Sequence, residues 1–133
     1  MAIPPSEVAA RFFGQNVTHH NQPKNDGSDP PISGANGDPN SAPSPGDIGI
    51  DLPGDSVFGL FHIEHSSGTA MTIRPWILVK GRDTWSELVN GEFEVKQGRP
   101  ASEEIKIRGL DRLYFERVDT NGGDWTAELD ELR

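Results

Sequence analysis

The chain of 133 residues contains no cysteine, which excludes a disulfide framework, a thiolate metal site and a cysteine nucleophile together. No apolar run approaches the roughly 18 residues of a membrane helix. Nor does a basic stretch followed by an apolar one mark a secretory leader. A soluble chain made in a host cytoplasm is therefore expected, with no membrane partner. Basic residues are also scarce: 12 Lys and Arg stand against 21 Asp and Glu, a net charge of −9. A protein that tracks nucleic-acid phosphates carries a basic stripe; none is visible, so no nucleic-acid partner is expected. Missing too are the G-x-S-x-G elbow, the phosphate-binding loop and the dinucleotide fingerprint, since Gly46, Gly49 and Gly54 lack the required spacing.

What is present is alternation. Within residues 105–129, Ile105, Ile107, Leu113, Phe115, Trp125, Ala127 and Leu129 recur at every second position in short runs, the period of strands with one buried face. Three strands are expected here, with Gly109 and Asp111 in one turn and Asn121-Gly122-Gly123 closing the last two as a hairpin. Upstream, Ile48, Ile50 and Leu52 mark a candidate edge strand. Residues 56–65 put Val57, Phe61 and Ile63 on one face and Phe58, Leu60 and His62 on the other. In residues 69–80, Met71, Ile73, Ile77 and Val79 share a face with Pro75, which lacks the ladder donor and so predicts a bend or an edge position. Residues 84–89 and 92–96 flank Asn90-Gly91, a hairpin signal. Seven or eight short strands with no long helical period predict an all-β fold, an antiparallel β-sandwich of jelly-roll or immunoglobulin-like type, over residues 47–133.

Residues 1–46 read differently. Eight of the eleven prolines lie at or before Pro45, and from Gly14 to Gly46 the only large aliphatics are Val17 and Ile32. Such a segment buries too little apolar surface to offset the entropy of ordering it, so an extended N-terminal arm is expected. At its start, Ser6 is a plausible N-cap and Glu7 suits the first turn of a short helix. Val8, Phe12 and Phe13 then share one side and form the candidate anchor for a partner protein.

No catalytic residue and no metal or cofactor site is expected. His19 and His20 are adjacent in the arm, and His62 and His65 point to opposite faces of a strand. Asp119, Asn121 and Asp124 lack the ligand plan of a calcium loop and read as turn residues. Glu92 with Glu94, and Glu103 with Glu104, read as a wet face rather than a carboxyl pair across a cleft. Trp76, Trp85 and Tyr114 raise the alternative of a sugar-stacking platform, with Trp76 the residue most able to face outward, whereas Trp125 reads as core. Phe58, Leu60 and Trp76 are the candidate oligomer contacts.

Three runs, Thr72-Ile73-Arg74-Pro75-Trp76, Thr84-Trp85 and Ile107-Arg108-Gly109-Leu110-Asp111-Arg112-Leu113-Tyr114-Phe115, resemble small β-sandwich virion proteins of tailed bacteriophages, which decorate or cement the head or sit in its neck. The resemblance implies a non-enzymatic structural role on the capsid surface: oligomeric knobs, commonly trimers, that bind and bridge major capsid subunits. A neck or tail component and a carbohydrate-binding or host-recognition module are the alternative expectations.

Overall fold

The computed structural model describes residues 17–22, 37–42, 44–52, 56–66, 69–119 and 124–132. The expected anchor, with Val8, Phe12 and Phe13, lies outside them, as does Asn121-Gly122-Gly123.

Alternation becomes strands where it was read. Strand β3 (Phe58–His65) buries Gly59, Phe61, Ile63 and His65 and turns Leu60 and Glu64 to solvent. Strand β4 (Met71–Val79) buries Met71, Ile73, Trp76 and Leu78. The others among the described residues are β1 (Val17–Asn21), β2 (Ile50–Asp51), β5 (Ser86–Glu87), β6 (Phe93–Val95), β7 (Ala101–Lys106), β8 (Leu110–Arg117) and β9 (Trp125–Leu132).

Pairing is nested: β1 with β9, β2 with β8, β3 with β7, and β4 with both β5 and β6. The chain thus doubles back after β4, where Gly81 takes a φ of 80° and Arg82 N–H bonds the Val79 carbonyl at 3.0 Å. The resulting ribbon rolls into two antiparallel sheets. One runs β1-β9-β3-β7; the other runs β2-β8-β4, with β5 and β6 on its far edge. This is the strand order of a jelly roll, the first of the two sandwich types expected.

Two expected hairpins are not formed. Strands β8 and β9 belong to opposite sheets: β9 pairs with β1 and β3, and β8 with β2 and β4. Strands β5 and β6 do not pair with each other; both lie antiparallel along β4.

Between the sheets lies the main core, built around Trp125, Phe61, Phe115, Ile63, Met71, Ile73, Leu113 and Leu129. Trp125 is core, as its spacing predicted. A second, smaller cluster covers the outer face of the β8–β4 sheet: Trp76, Leu78, Trp85 and Tyr114 pack with Ile48 and Ala42. Its cover comes from the stretch read as arm. The Tyr114 hydroxyl donates to the Gly37 carbonyl at 3.2 Å and Trp85 Nε1 to the Pro45 carbonyl at 2.9 Å. Asn40 brackets the Trp85 backbone, accepting from its N–H at 2.8 Å and donating to its carbonyl at 3.0 Å. Few apolar atoms are needed when the cover is held by hydrogen bonds to aromatic anchors.

The arm also supplies β1 and, directly after it, Gln22. Gln22 N–H bonds the Ala127 carbonyl at 2.8 Å, while its side chain donates to the Phe115 carbonyl at 3.0 Å and accepts from the Phe115 N–H at 2.8 Å. One buried glutamine, through its backbone N–H and its side-chain amide, therefore joins β9 in one sheet to β8 in the other, beyond the end of short β2. It staples that seam of the sandwich.

Replacing Gln22 with Ala leaves both Phe115 backbone groups without their partners. The expected loss is about 2–3 kcal/mol, read as a lower urea midpoint; a loss under about 0.5 kcal/mol would mean that water substitutes for the amide.

Candidate functional site: the open seam between the sheets

The opposite seam is built on a proline. Pro75 occupies the middle of β4, level with Phe115 of β8, and is neither at a sheet edge nor at the strand's end. Its carbonyl accepts from Leu88 N–H at 3.1 Å. In antiparallel pairing a residue's N and O face the same neighbour, so the missing donor costs nothing toward β8 and falls on the β5–β6 side. There the neighbouring strand breaks. Strand β5 pairs with Trp76 and Ile77, β6 pairs with Met71, Thr72 and Ile73, and residues 88–92 loop out opposite Arg74 and Pro75. Asn90 takes a φ of 56° and Gly91 N–H bonds the Leu88 carbonyl at 2.9 Å, so the hairpin signal does make a turn. The turn shapes a loop inside one interrupted edge strand.

Arg74 pins this loop from both sides. Its guanidinium lies 3.0 Å from Glu87, 3.2 Å from Glu92 and 3.5 Å from Glu116. Glu116 is buried and also accepts from Trp76 Nε1 at 2.9 Å. Burial pushes its carboxyl above the ordinary range, against the Trp76 hydrogen bond and the Arg74 charge, which pull it down.

Between the loop and β7 opens a groove of about 390 Å³. Phe61, Phe93 and Ile105 give it apolar walls, Leu88 and Val89 form the lip, and Glu92, Glu103, Glu104 and Lys106 stand at its rim. Phe61 stacks on Phe93 with centroids 5.5 Å apart. Val89, at the tip, is 86% exposed. Among the described residues strand β7 is the terminal strand of its sheet, so one row of its backbone groups points away from β3 beside this groove.

A second surface is the outer face of the β1-β9-β3-β7 sheet. Phe58 and Leu60 project there with His62, and Leu60 is 38% exposed. His19 Nδ1 sits 2.6 Å from Asp130, which raises the His19 pKa, with burial opposing. The three expected oligomer contacts do not share a surface. Trp76 lies under the second cluster on the opposite side of the sandwich, 7% exposed; its alternation with Arg74 was read correctly, but the cover over that face was not. All three tryptophans and Tyr114 are buried, so none presents a ring for stacking a sugar.

Among the described residues no three metal-ligating side chains come together. His20 Nε2 bonds buried Glu131 at 2.8 Å, and Ser56 Oγ donates to the other oxygen of the same carboxylate. Serine and histidine meet the carboxylate from two sides rather than each other, which is a structural tie and not a nucleophile relay. Asp119 accepts from Thr72 N–H at 2.7 Å and pairs with buried Arg117 at 3.0 Å, the part of a turn residue. Sequence reading missed Gln22, Asn40 and the seam itself; the visible signal was a proline inside an otherwise regular strand pattern.

No protein-family model, curated protein or solved structure matches this chain.

Because the fold favours protonated Glu116, that group's contribution is full below its ordinary value of 4.5 and is lost as pH rises through the raised value. Glu116→Gln keeps an acceptor for Trp76 and removes the buried charge. Its expected thermal stability is higher than the parent's at pH 7 by about 1 kcal/mol, a gain that shrinks at pH 4; a loss at pH 7 would show that the Arg74 pairing outweighs burial. For His19 the stabilising contribution is present below 6.5 and disappears as pH rises through the raised value. NMR titration should place His19 above 6.5, and Asp130→Asn should bring it down.

Proposed function

We propose that this chain is a non-enzymatic structural protein that joins proteins within a larger assembly, the head cement or decoration protein of a tailed bacteriophage being the instance its sequence resembles. The observation that carries this reading is the exposed Leu60 on the outer face of the β1-β9-β3-β7 sheet. One outer face is sealed by the chain's own residues 37–42 and 44–48, which cover Trp76, Trp85 and Tyr114. The other carries half-buried Phe58 and exposed Leu60 on adjacent outward positions of its central strand β3. A leucine left 38% exposed at an outward position of a central strand offers that face to a partner. A second copy is the partner proposed, seated on Leu60.

Jelly rolls serve in viral capsids, lectins and cupins alike, so the fold by itself does not choose among these roles. What favours assembly is chemical. The buried carboxylates Glu116 and Glu131 are each engaged by donors that tie strands together, and the aromatic rings are spent on packing. In this reading the sequence ahead of β1 reaches a neighbouring protein through Val8, Phe12 and Phe13, and the sandwich oligomerises, so that many weak contacts act in register. In a phage head the neighbour would be the major capsid protein.

Light scattering on the purified full-length chain tests the oligomer. The parent is expected to run as a symmetric oligomer, and Leu60→Asp as a monomer with unchanged thermal stability. A parent that stays monomeric at high concentration, or an oligomer indifferent to Leu60→Asp, would remove this face from the interface.

A further inference from the structure

Resting on that assembly reading, we infer that the groove at the open seam receives residues 8–13 of a second copy, added as a strand along the free edge of β7.

The acceptor is asymmetric. Toward the interior, β7 shows Ile105, with Phe61 and Phe93 behind it and Val89 opposite on the lip. On the outer face it shows Ser102, Glu104 and Lys106, paired across to His62, Leu60 and Phe58 of β3. The donor Val8-Ala9-Ala10-Arg11-Phe12-Phe13 has the matching alternation. Extended, it puts Val8, Ala10 and Phe12 on one side and Ala9, Arg11 and Phe13 on the other. Val8 and Phe12 then fill the groove, and Arg11 stands beside Glu104 at the distance of a cross-strand pair. Arg11 is the only Lys or Arg in residues 1–16. Charges on an edge strand ordinarily repel a stray partner strand; here Glu103 and Glu104 select for one that carries a cation in the right place. The intrinsic helicity of so short a segment is marginal in water, so little opposes its extension on docking.

Geometry decides whose donor it is. Residues 8–13 lead through Gly14, Gln15 and Asn16 into Val17 of β1, which stands level with Lys106 across Leu132 and Phe58. A strand added outside β7 lies four strand spacings from β1, about 19 Å. The four residue steps from Val17 back to Phe13 span at most about 14 Å, and the five back to Phe12 about 18 Å. A molecule's own anchor therefore falls short of its own groove, and a neighbour's does not. Donor end to groove is a head-to-tail contact, which closes into a ring when the rotation returns on itself.

The test uses a fluorescent peptide of residues 6–15 and the full-length Phe12→Asp variant, whose own donor is disabled. Anisotropy should report saturable binding, weakened by about tenfold when Val89→Asp or Glu104→Lys is added to the receptor. A peptide carrying Arg11→Glu should bind the Glu104→Lys receptor better than it binds the parent groove. Absence of saturable binding, or binding indifferent to both receptor changes, overturns the inference. If that happens while Leu60→Asp still dissociates the oligomer, the assembly reading stands and only the groove is lost. If the peptide binds as expected but Leu60→Asp changes nothing, the groove stands and the sheet-face interface is lost.

Discussion

A single absent hydrogen shapes one whole side of this molecule. Pro75 is accommodated in the middle of β4 because its nitrogen faces away from β8, toward a neighbour that can do without it. That neighbour becomes two short strands, β5 and β6, with residues 88–92 displaced between them. The displaced loop becomes a lip, the lip and β7 enclose a groove, and Arg74, next to the proline, gathers Glu87, Glu92 and Glu116 to hold the lip in place. Proline in a central strand is normally excluded for want of a ladder bond. Here its tolerance and the opening of the seam have one cause.

The two seams are finished by opposite means. At β1 and β2 the sheets are joined by Gln22, a polar side chain that completes the backbone pairing of Phe115 where β2 has run out. At β7 and β6 apolar rings line the gap, and the tie comes from deeper in the sheet, where the His65 ring of β3 meets the Val95 carbonyl of β6 at 2.6 Å. The two outer faces differ as well: residues 37–42 and 44–48 cover Trp76, Trp85 and Tyr114, whereas Leu60 of the opposite sheet is 38% exposed. Under the assembly reading proposed above, a groove and an exposed leucine beside a closed seam let a chain fold alone and still offer surface to neighbours.

The strands of the sandwich were legible because burial on one face forces alternation, and Phe61, Ile63, Met71, Ile73, Leu113 and Leu129 carry that pattern plainly. Pairing was less legible. Asn90-Gly91 announced a positive φ, and Asn90 has one, but a turn residue cannot say whether the chain after it folds back or carries on beside the same partner. The cover over Trp76 was invisible for a different reason. Residues 37–48 act through backbone carbonyls and one asparagine, chemistry that leaves no hydrophobic period, so their composition resembled that of a free arm. Gln22 was hidden likewise: an isolated glutamine in a polar stretch looks the same whether it is solvated or buried.

Nested pairing has a temporal consequence. Strand β9 lies between β1 and β3 and brings Trp125, Ala127 and Leu129 into the core, so the sheet that holds the earliest described strand cannot form until one of the last has been synthesised. A ribosome making this chain would release nearly all of it before the layers could close. Folding then waits on contacts between distant parts of the chain, the slow regime for β topologies, and until it finishes the edges of β3 and β7 are open to other nascent copies.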